Sequence, residues 1–122
     1  MILVDTSIWV DHLRRGDATL VRLLTNSQVL GHPAITGELG LGSLANRVEV
    51  LNLLSNLPPA VRATHDEVMD FVHAHQLMGL GIGYVDVHLL ASTALSGHTS
   101  LWTRDKRLRG ASLRLGISAP HN

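Results

Sequence analysis

Asp5, Glu38, Asp86 and Asp105 stand apart from the chain's other acidic residues by where they lie: they are four of only ten Asp and Glu residues, and each adjoins apolar sequence. Asp5 follows the run Ile2-Leu3-Val4 and precedes two hydroxyls, Thr6 and Ser7. Glu38 sits in Gly37-Glu38-Leu39-Gly40, among small or apolar neighbours where an unpaired charge is costly to bury. Asp86 leads from a glycine-rich loop into Val87-His88-Leu89-Leu90-Ala91, and Asp105 ends Leu101-Trp102-Thr103-Arg104-Asp105. Each has an ordinary reading. Asp5 and Asp105 suit helix N-caps, Asp86 suits the positive end of a helix dipole, and Glu38 suits an exposed turn. Taken together, the four read as one oxygen-rich pocket, the donor chemistry that Mg²⁺ and Mn²⁺ prefer. Cations held there orient a phosphate and turn water into a nucleophile, which makes the expected reaction metal-dependent hydrolysis of a phosphodiester. Thr103, two residues before Asp105, is placed to orient an acid or the attacking water. Without cations the carboxylates repel, and their titrations are coupled, with some protons retained at raised pKa.

Strands and helices that alternate along the chain would position these groups. Ile2 to Val4 reads as a short buried strand, and Ile8 to Leu13 and Ala18 to Thr25 carry helical spacing. A weak strand at Gln28 to Leu30 leads to Pro33, which suits the first turn of a helix through Glu38 and Leu41. Leu44, Val48, Leu51, Leu54 and Leu57 recur at three- and four-residue steps, predicting an amphipathic helix stopped by Pro58-Pro59. Ala60 to Ala63 reads as a further strand, Thr64 or Asp66 as the cap of a helix from Glu67 to His75, and Gly79 to Gly83 as a loop. A helix to about Leu95, a strand at Ser100 to Thr103, a short basic helix to Gly116 and an irregular tail complete the order. Helical connections imply parallel pairing, so the predicted fold is α/β, one domain over residues 1–122 with a parallel sheet between helical layers. Such sheets bind ligands beyond the carboxyl ends of their strands, where Asp5 and Asp105 fall.

Composition excludes several classes. With 122 residues and no cysteine, disulfide frameworks and Cys-based metal sites or nucleophiles are ruled out, and a cytoplasmic setting is expected. The longest apolar-rich run, Leu77 to Val85, contains three glycines and is far too short to span a bilayer. Ten basic and ten acidic residues cancel. If four acids face cations, however, ten basic residues stand against six acidic ones on the remaining surface. Nine of the ten basic residues are Arg, and Arg104, Lys106, Arg107, Arg109 and Arg114 gather near Asp105, a rim suited to phosphates.

In order and context, DTS, GEL, GYVDVHLLA and LWTRD resemble the PIN-domain ribonucleases, specifically the VapC-type toxins of prokaryotic toxin–antitoxin modules. The resemblance extends over nearly the whole chain and includes Gly31-His32-Pro33, Leu53-Leu54 with Leu57-Pro58, and Gly81-Ile82-Gly83. Tyr84 stands where related chains often carry Trp. For this family the resemblance implies a PIN-like three-layer fold and Mg²⁺- or Mn²⁺-dependent RNA endonuclease activity. It also implies inhibition by a cognate VapB-like antitoxin, and homodimerisation. Carried over, Asp5 and Asp86 are the principal metal ligands, Glu38 and Asp105 complete the acidic set, and Thr103 supports it.

Other features carry less. Eight His residues are scattered without zinc-ligand spacing, and His88 is expected to meet solvent or backbone. Gly79-Leu80-Gly81-Ile82-Gly83 has no Walker lysine and is no nucleotide loop. The broad Leu stripe from Leu39 to Leu57 is core with an excess that suits self-association, while Trp9 and Trp102 are core or groove residues, available to an antitoxin helix. A haloacid-dehalogenase-type phosphotransferase wants a second acid two positions after Asp5, where Ser7 stands; a receiver domain wants paired acids after the first strand, where Asp5 stands alone. With four Phe, Trp or Tyr residues, recognition of RNA is expected to rest on shape and few contacts rather than aromatic platforms.

Overall fold

The structure, a computed structural model, describes residues 1–122. Its elements run β1 (Ile2–Val4), α1 (Thr6–Arg15), α2 (Ala18–Thr25), β2 (Val29–Leu30), α3 (Pro33–Leu41), α4 (Arg47–Ser55), α5 (His65–His75), α6 (Tyr84–Ser96), β3 (Ser100–Trp102) and α7 (Lys106–Arg114). The sheet is wholly parallel in the order β2-β1-β3. From β1 the chain crosses through α1 and α2 to one neighbour, then through α3 to α6 to the other. Two crossovers of one hand leading to opposite sides of β1 place helices on both faces, the expected α/β three-layer, PIN-like arrangement. The carboxyl end of β1 is therefore the point where strand order reverses, and Asp5 occupies it.

Central β1 is apolar along its length because both faces are covered: Leu3 and Val4 are fully buried and Ile2 nearly so. Around them lie Ile8 and Leu20 of the first crossover, Leu89 and Leu90 of α6, Leu101 of β3 and Leu108 of α7. Trimming any of these leucines to Ala removes about 2–5 kcal/mol of stability. Backbone pairing runs one residue past β1: the Asp5 N–H donates to Trp102 O at 2.9 Å, which pins the acid to both strands.

Three sequence expectations are corrected. Ala60 to Ala63 is not a strand; Gly31 and Pro59 form a single parallel bridge, flanked by Gly31 N–H to Pro58 O (2.8 Å) and Ala60 N–H to Gly31 O (2.9 Å). Pro59 has no N–H to continue a ladder. Glycine is required at 31, since a Cβ there would lie 3.1 Å from Leu54 O and 3.2 Å from Leu57 Cβ. The helix expected from Leu44 begins only at Arg47, because Asn46 turns the chain through a left-handed conformation (φ 55°). Of its stripe only Leu54 is fully buried, and Val48 is 73% exposed. Finally, the tail is not wholly irregular: Leu101 N–H donates to Ile117 O (2.7 Å) and Ala119 N–H to Leu101 O (2.9 Å), laying the tail against β3. The α5 start resolves in favour of Thr64, whose hydroxyl accepts from Glu67 N–H while Glu67 accepts from Thr64 N–H, a capping box.

Candidate active site

Two interlocking hydroxyls fix Asp5. It stands at the N-cap position of α1, yet its carboxylate makes no capping bond. Instead Oδ2 accepts from Ser7 Oγ (2.9 Å) and from Thr103 Oγ1 (2.7 Å), joining the ends of β1 and β3. Both hydroxyls meet one oxygen, which leaves Oδ1 free of protein donors. Each hydroxyl is itself held from behind: Ser7 Oγ accepts from Arg104 N–H (3.1 Å) and Thr103 Oγ1 from Asp105 N–H (3.0 Å). Asp5 and Thr103 are 6% and 2% exposed, so these bonds are sheltered from water.

Pro33 at the first turn starts α3, and the helix carries Glu38 to the same end of the sheet, where its Oε1 accepts from Thr6 Oγ1 at 2.7 Å. Asp86 arrives in the first turn of α6, behind the Gly83 cap, and is half-buried. Burial first, then the negative charges of Asp5, Asp105 and Glu38, pushes its carboxyl from the usual 3.8 to about 6. Asp105 does serve as a cap: its Oδ1 accepts from Leu108 N–H at 2.9 Å and starts α7, leaving Oδ2. All four acids thus share one region at the strand ends, close enough for three of them to raise the pKa of the fourth. They do not converge into a ready-made ligand shell, as no three His, Asp or Glu side chains come together that tightly. The donor set nevertheless fits a hard divalent cation. It is all oxygen, its central member is electrostatically frustrated, and Mg²⁺ in particular keeps several waters between itself and its carboxylates.

Some partners escaped the sequence reading. Thr6 and Ser7 bind the carboxylates of Glu38 and Asp5, and Asn122 belongs to the same framework. Its amide clasps β3 by accepting from Thr103 N–H (2.9 Å) and donating to Leu101 O (2.8 Å) and Ser118 Oγ (2.7 Å). The alternation of hydroxyl and acid in Asp5-Thr6-Ser7 and Thr103-Arg104-Asp105 was the available signal; for Asn122 there was none.

The basic rim divides. Arg104 forms ion pairs with Asp11 and with Asp17 (3.5 Å), which neutralises it. Arg114 donates to His75 O (2.7 Å) and Gln76 O (3.3 Å), closing the carboxyl end of α5. Trp9 and Trp102, expected in the core or a groove, are 2% and 4% exposed and so are closed to a partner helix. No His joins the acids. His32 is structural: Ala34 N–H donates to its Nδ1 (3.0 Å), leaving Nε2–H for Ser92 Oγ (3.1 Å). Its burial, with His88 and Arg62 nearby, lowers its pKa below 6.5. His88 stands edge-on to the Tyr84 ring at 4.7 Å between centroids rather than meeting backbone.

Fold and site together define a parallel α/β domain that concentrates carboxylates at the switch point of its strand order. No protein-family model matches the sequence. Over 118 residues the chain is 50% identical to ribonuclease VapC32 of Mycobacterium tuberculosis, covering 97% of this chain and 95% of the relative. The same values hold for that protein in strains CDC 1551 and H37Rv. At this identity and coverage, the chain belongs to the VapC ribonuclease family.

Proposed function

We propose that the chain is a Mg²⁺- or Mn²⁺-dependent RNA endonuclease, the toxin of a type II toxin–antitoxin pair, with Asp5, Glu38, Asp86 and Asp105 as metal-holding carboxylates. One observation carries this reading: Asp86 sits where burial and three like charges hold its carboxyl near pH 6, a repulsion that a divalent cation relieves. A bound cation supplies charge neutralisation at the phosphate and a more acidic water. The chain's own residues supply position. Ser7 and Thr103 both bind Asp5 Oδ2 and leave Oδ1 without a protein donor, Thr6 holds Glu38, and Asp105 offers its second oxygen while capping α7. Thr103 couples two acids, donating to Asp5 and accepting from the Asp105 amide, so it acts through them as a positioning residue.

The partners follow the family. An apolar cleft of about 450 Å³, lined by Val10, Leu13, Leu39, Leu44 and Val50, opens beside Thr6 and Glu38 and suits a segment of a VapB-like antitoxin reaching toward the acids. Leu41 and Val48, 90% and 73% exposed, supply an apolar face for a homodimer. Antitoxin-free protein incubated with structured RNA and Mg²⁺ or Mn²⁺ will cut internally, and chelator, Asp5→Ala or Asp86→Asn will each stop it. Cleavage that survives all three defeats the mechanism. No helix is long and apolar enough to cross a membrane.

A further inference from the structure

We propose that Lys106 and Arg107, with the Gly81 loop, form a phosphate-binding groove for the RNA strand beside the acidic pocket. This rests on the ribonuclease reading above. Five cations lie on or next to α7, and the structure gives two of them other partners. Arg104 is paired with Asp11 and Asp17 and Arg114 is bonded to the last carbonyls of α5, while Arg109 is half-buried and does not line the groove. Lys106 and Arg107 are exposed and have no carboxylate partner.

These two cations line a shallow cavity of about 230 Å³ with Leu80, Gly110, Ala111 and Arg114. Its walls are α7 on one side and the loop before α6 on the other. That loop is shaped around Arg107. Gly81 has φ +73°, a conformation that favours glycine, and the guanidinium rests on its backbone, 2.5 Å (Nη1) and 3.0 Å (Cζ) from where a Cβ would stand. Gly110 adds no side chain to the floor, with nothing within 4 Å of where its Cβ would stand.

Position ties the groove to the chemistry. Lys106 directly follows Asp105, and Gly81 lies five residues before Asp86, so each wall is joined to one of the acids by a short run of chain. A strand whose scissile phosphate faces the acids therefore runs onto Lys106 and Arg107 with a neighbouring phosphate. Arg107 provides a flat two-pronged donor and Lys106 a mobile point charge, a pairing suited to phosphate rather than to a base. The cavity has no aromatic side chain on which a base could stack.

The test measures RNA affinity against salt concentration in chelator, on the Asp86→Asn background so that nothing is cut. Each lost phosphate contact to a single strand lowers the slope of log K against log salt by about 0.7, so Lys106→Ala/Arg107→Ala reduces it by about 1.4. Arg15→Ala/Arg22→Ala removes the same charge elsewhere and leaves the slope unchanged. Equal losses in the two double variants, or no loss in the first, overturn the inference, because only the general field would then matter. An unchanged RNA slope with weakened antitoxin binding also overturns it, assigning the groove to an acidic protein segment. A parent protein that neither binds nor cleaves RNA fails the ribonuclease reading itself, a result separate from these.

Discussion

Asp86→Asn should abolish cleavage while making the metal-free protein more stable. Raising a carboxyl from 3.8 to about 6 corresponds to about 3 kcal/mol of disfavoured ionisation, at about 1.36 kcal/mol per pH unit. The cleft is open to water, and screening discounts this to about 1–1.5 kcal/mol. Asn also gives up a favourable charge in the first turn of α6, worth about 0.3–1 kcal/mol, so the net gain at pH 8 is about 0.5–1 kcal/mol. In a domain of this size that moves Tm upward by about 2–5 °C. The sign follows from the direction of the shift. The folded state holds the Asp86 proton more tightly than the unfolded chain, so protonation stabilises fully below pH 3.8, and that contribution is lost as pH rises through about 6. The advantage of Asn over Asp should therefore appear between pH 4 and 6.5 and persist above. Thermal unfolding by circular dichroism, in chelator at pH 4 and pH 8, measures it. Added Mg²⁺ should stabilise the parent and leave the variant unmoved. A variant less stable than the parent at pH 8, or an advantage of equal size at pH 4, would refute the electrostatic argument.

Two further outcomes follow from the hydrogen bonds. Thr103→Val keeps the shape but removes the donor to Asp5, so stability falls by about 1.5–3 kcal/mol and kcat by about tenfold or more, with KM for RNA nearly unchanged. Thr103→Ser, which restores the hydroxyl, should recover most of the rate; recovery absent in Ser would remove the positioning role. His32 has its pKa lowered by burial, so the stability it contributes is present above about 6.5 and lost as pH falls through the lower folded value. His32→Asn keeps a capping side chain for α3 and should flatten the acid limb of urea-unfolding stability below pH 6.5; an unaltered limb would assign the acid sensitivity elsewhere.

How much of this was legible in the sequence depended on whether a feature is local. Apolar runs ending in an acid announced β1 with Asp5 and β3 with Asp105, and Pro33 announced the helix of Glu38, because strand burial and proline geometry are written in neighbouring residues. The start of α4 was misread since the leucine spacing continues through Leu44 while Asn46 breaks the helix with a positive φ that no periodicity reveals. Ala60 to Ala63 has strand composition, but pairing needs a partner edge, and only Gly31 presents one to Pro59. Contacts between distant side chains were illegible. Thr103 and Asp5 are 98 positions apart, and the pairing of Arg104 with Asp11 and Asp17 removes from the phosphate rim a residue that sequence clustering had placed in it.

The same geometry shows which of the acids caps a helix, and the outcome differs for each. Asp5 occupies a cap position and declines the capping bond, because two hydroxyls and the Trp102 carbonyl hold it in extended backbone facing the cleft. Asp105 caps with one oxygen and keeps the other. Asp86 has the favourable end of a helix and is still left with a raised pKa, because burial first, and then the charges of Asp5, Asp105 and Glu38, disfavour its ionised form. A carboxylate whose purpose was to stabilise α6 would not be placed within the field of three others. The arrangement lowers the stability of the metal-free chain, and that cost is what the proposed cation would offset.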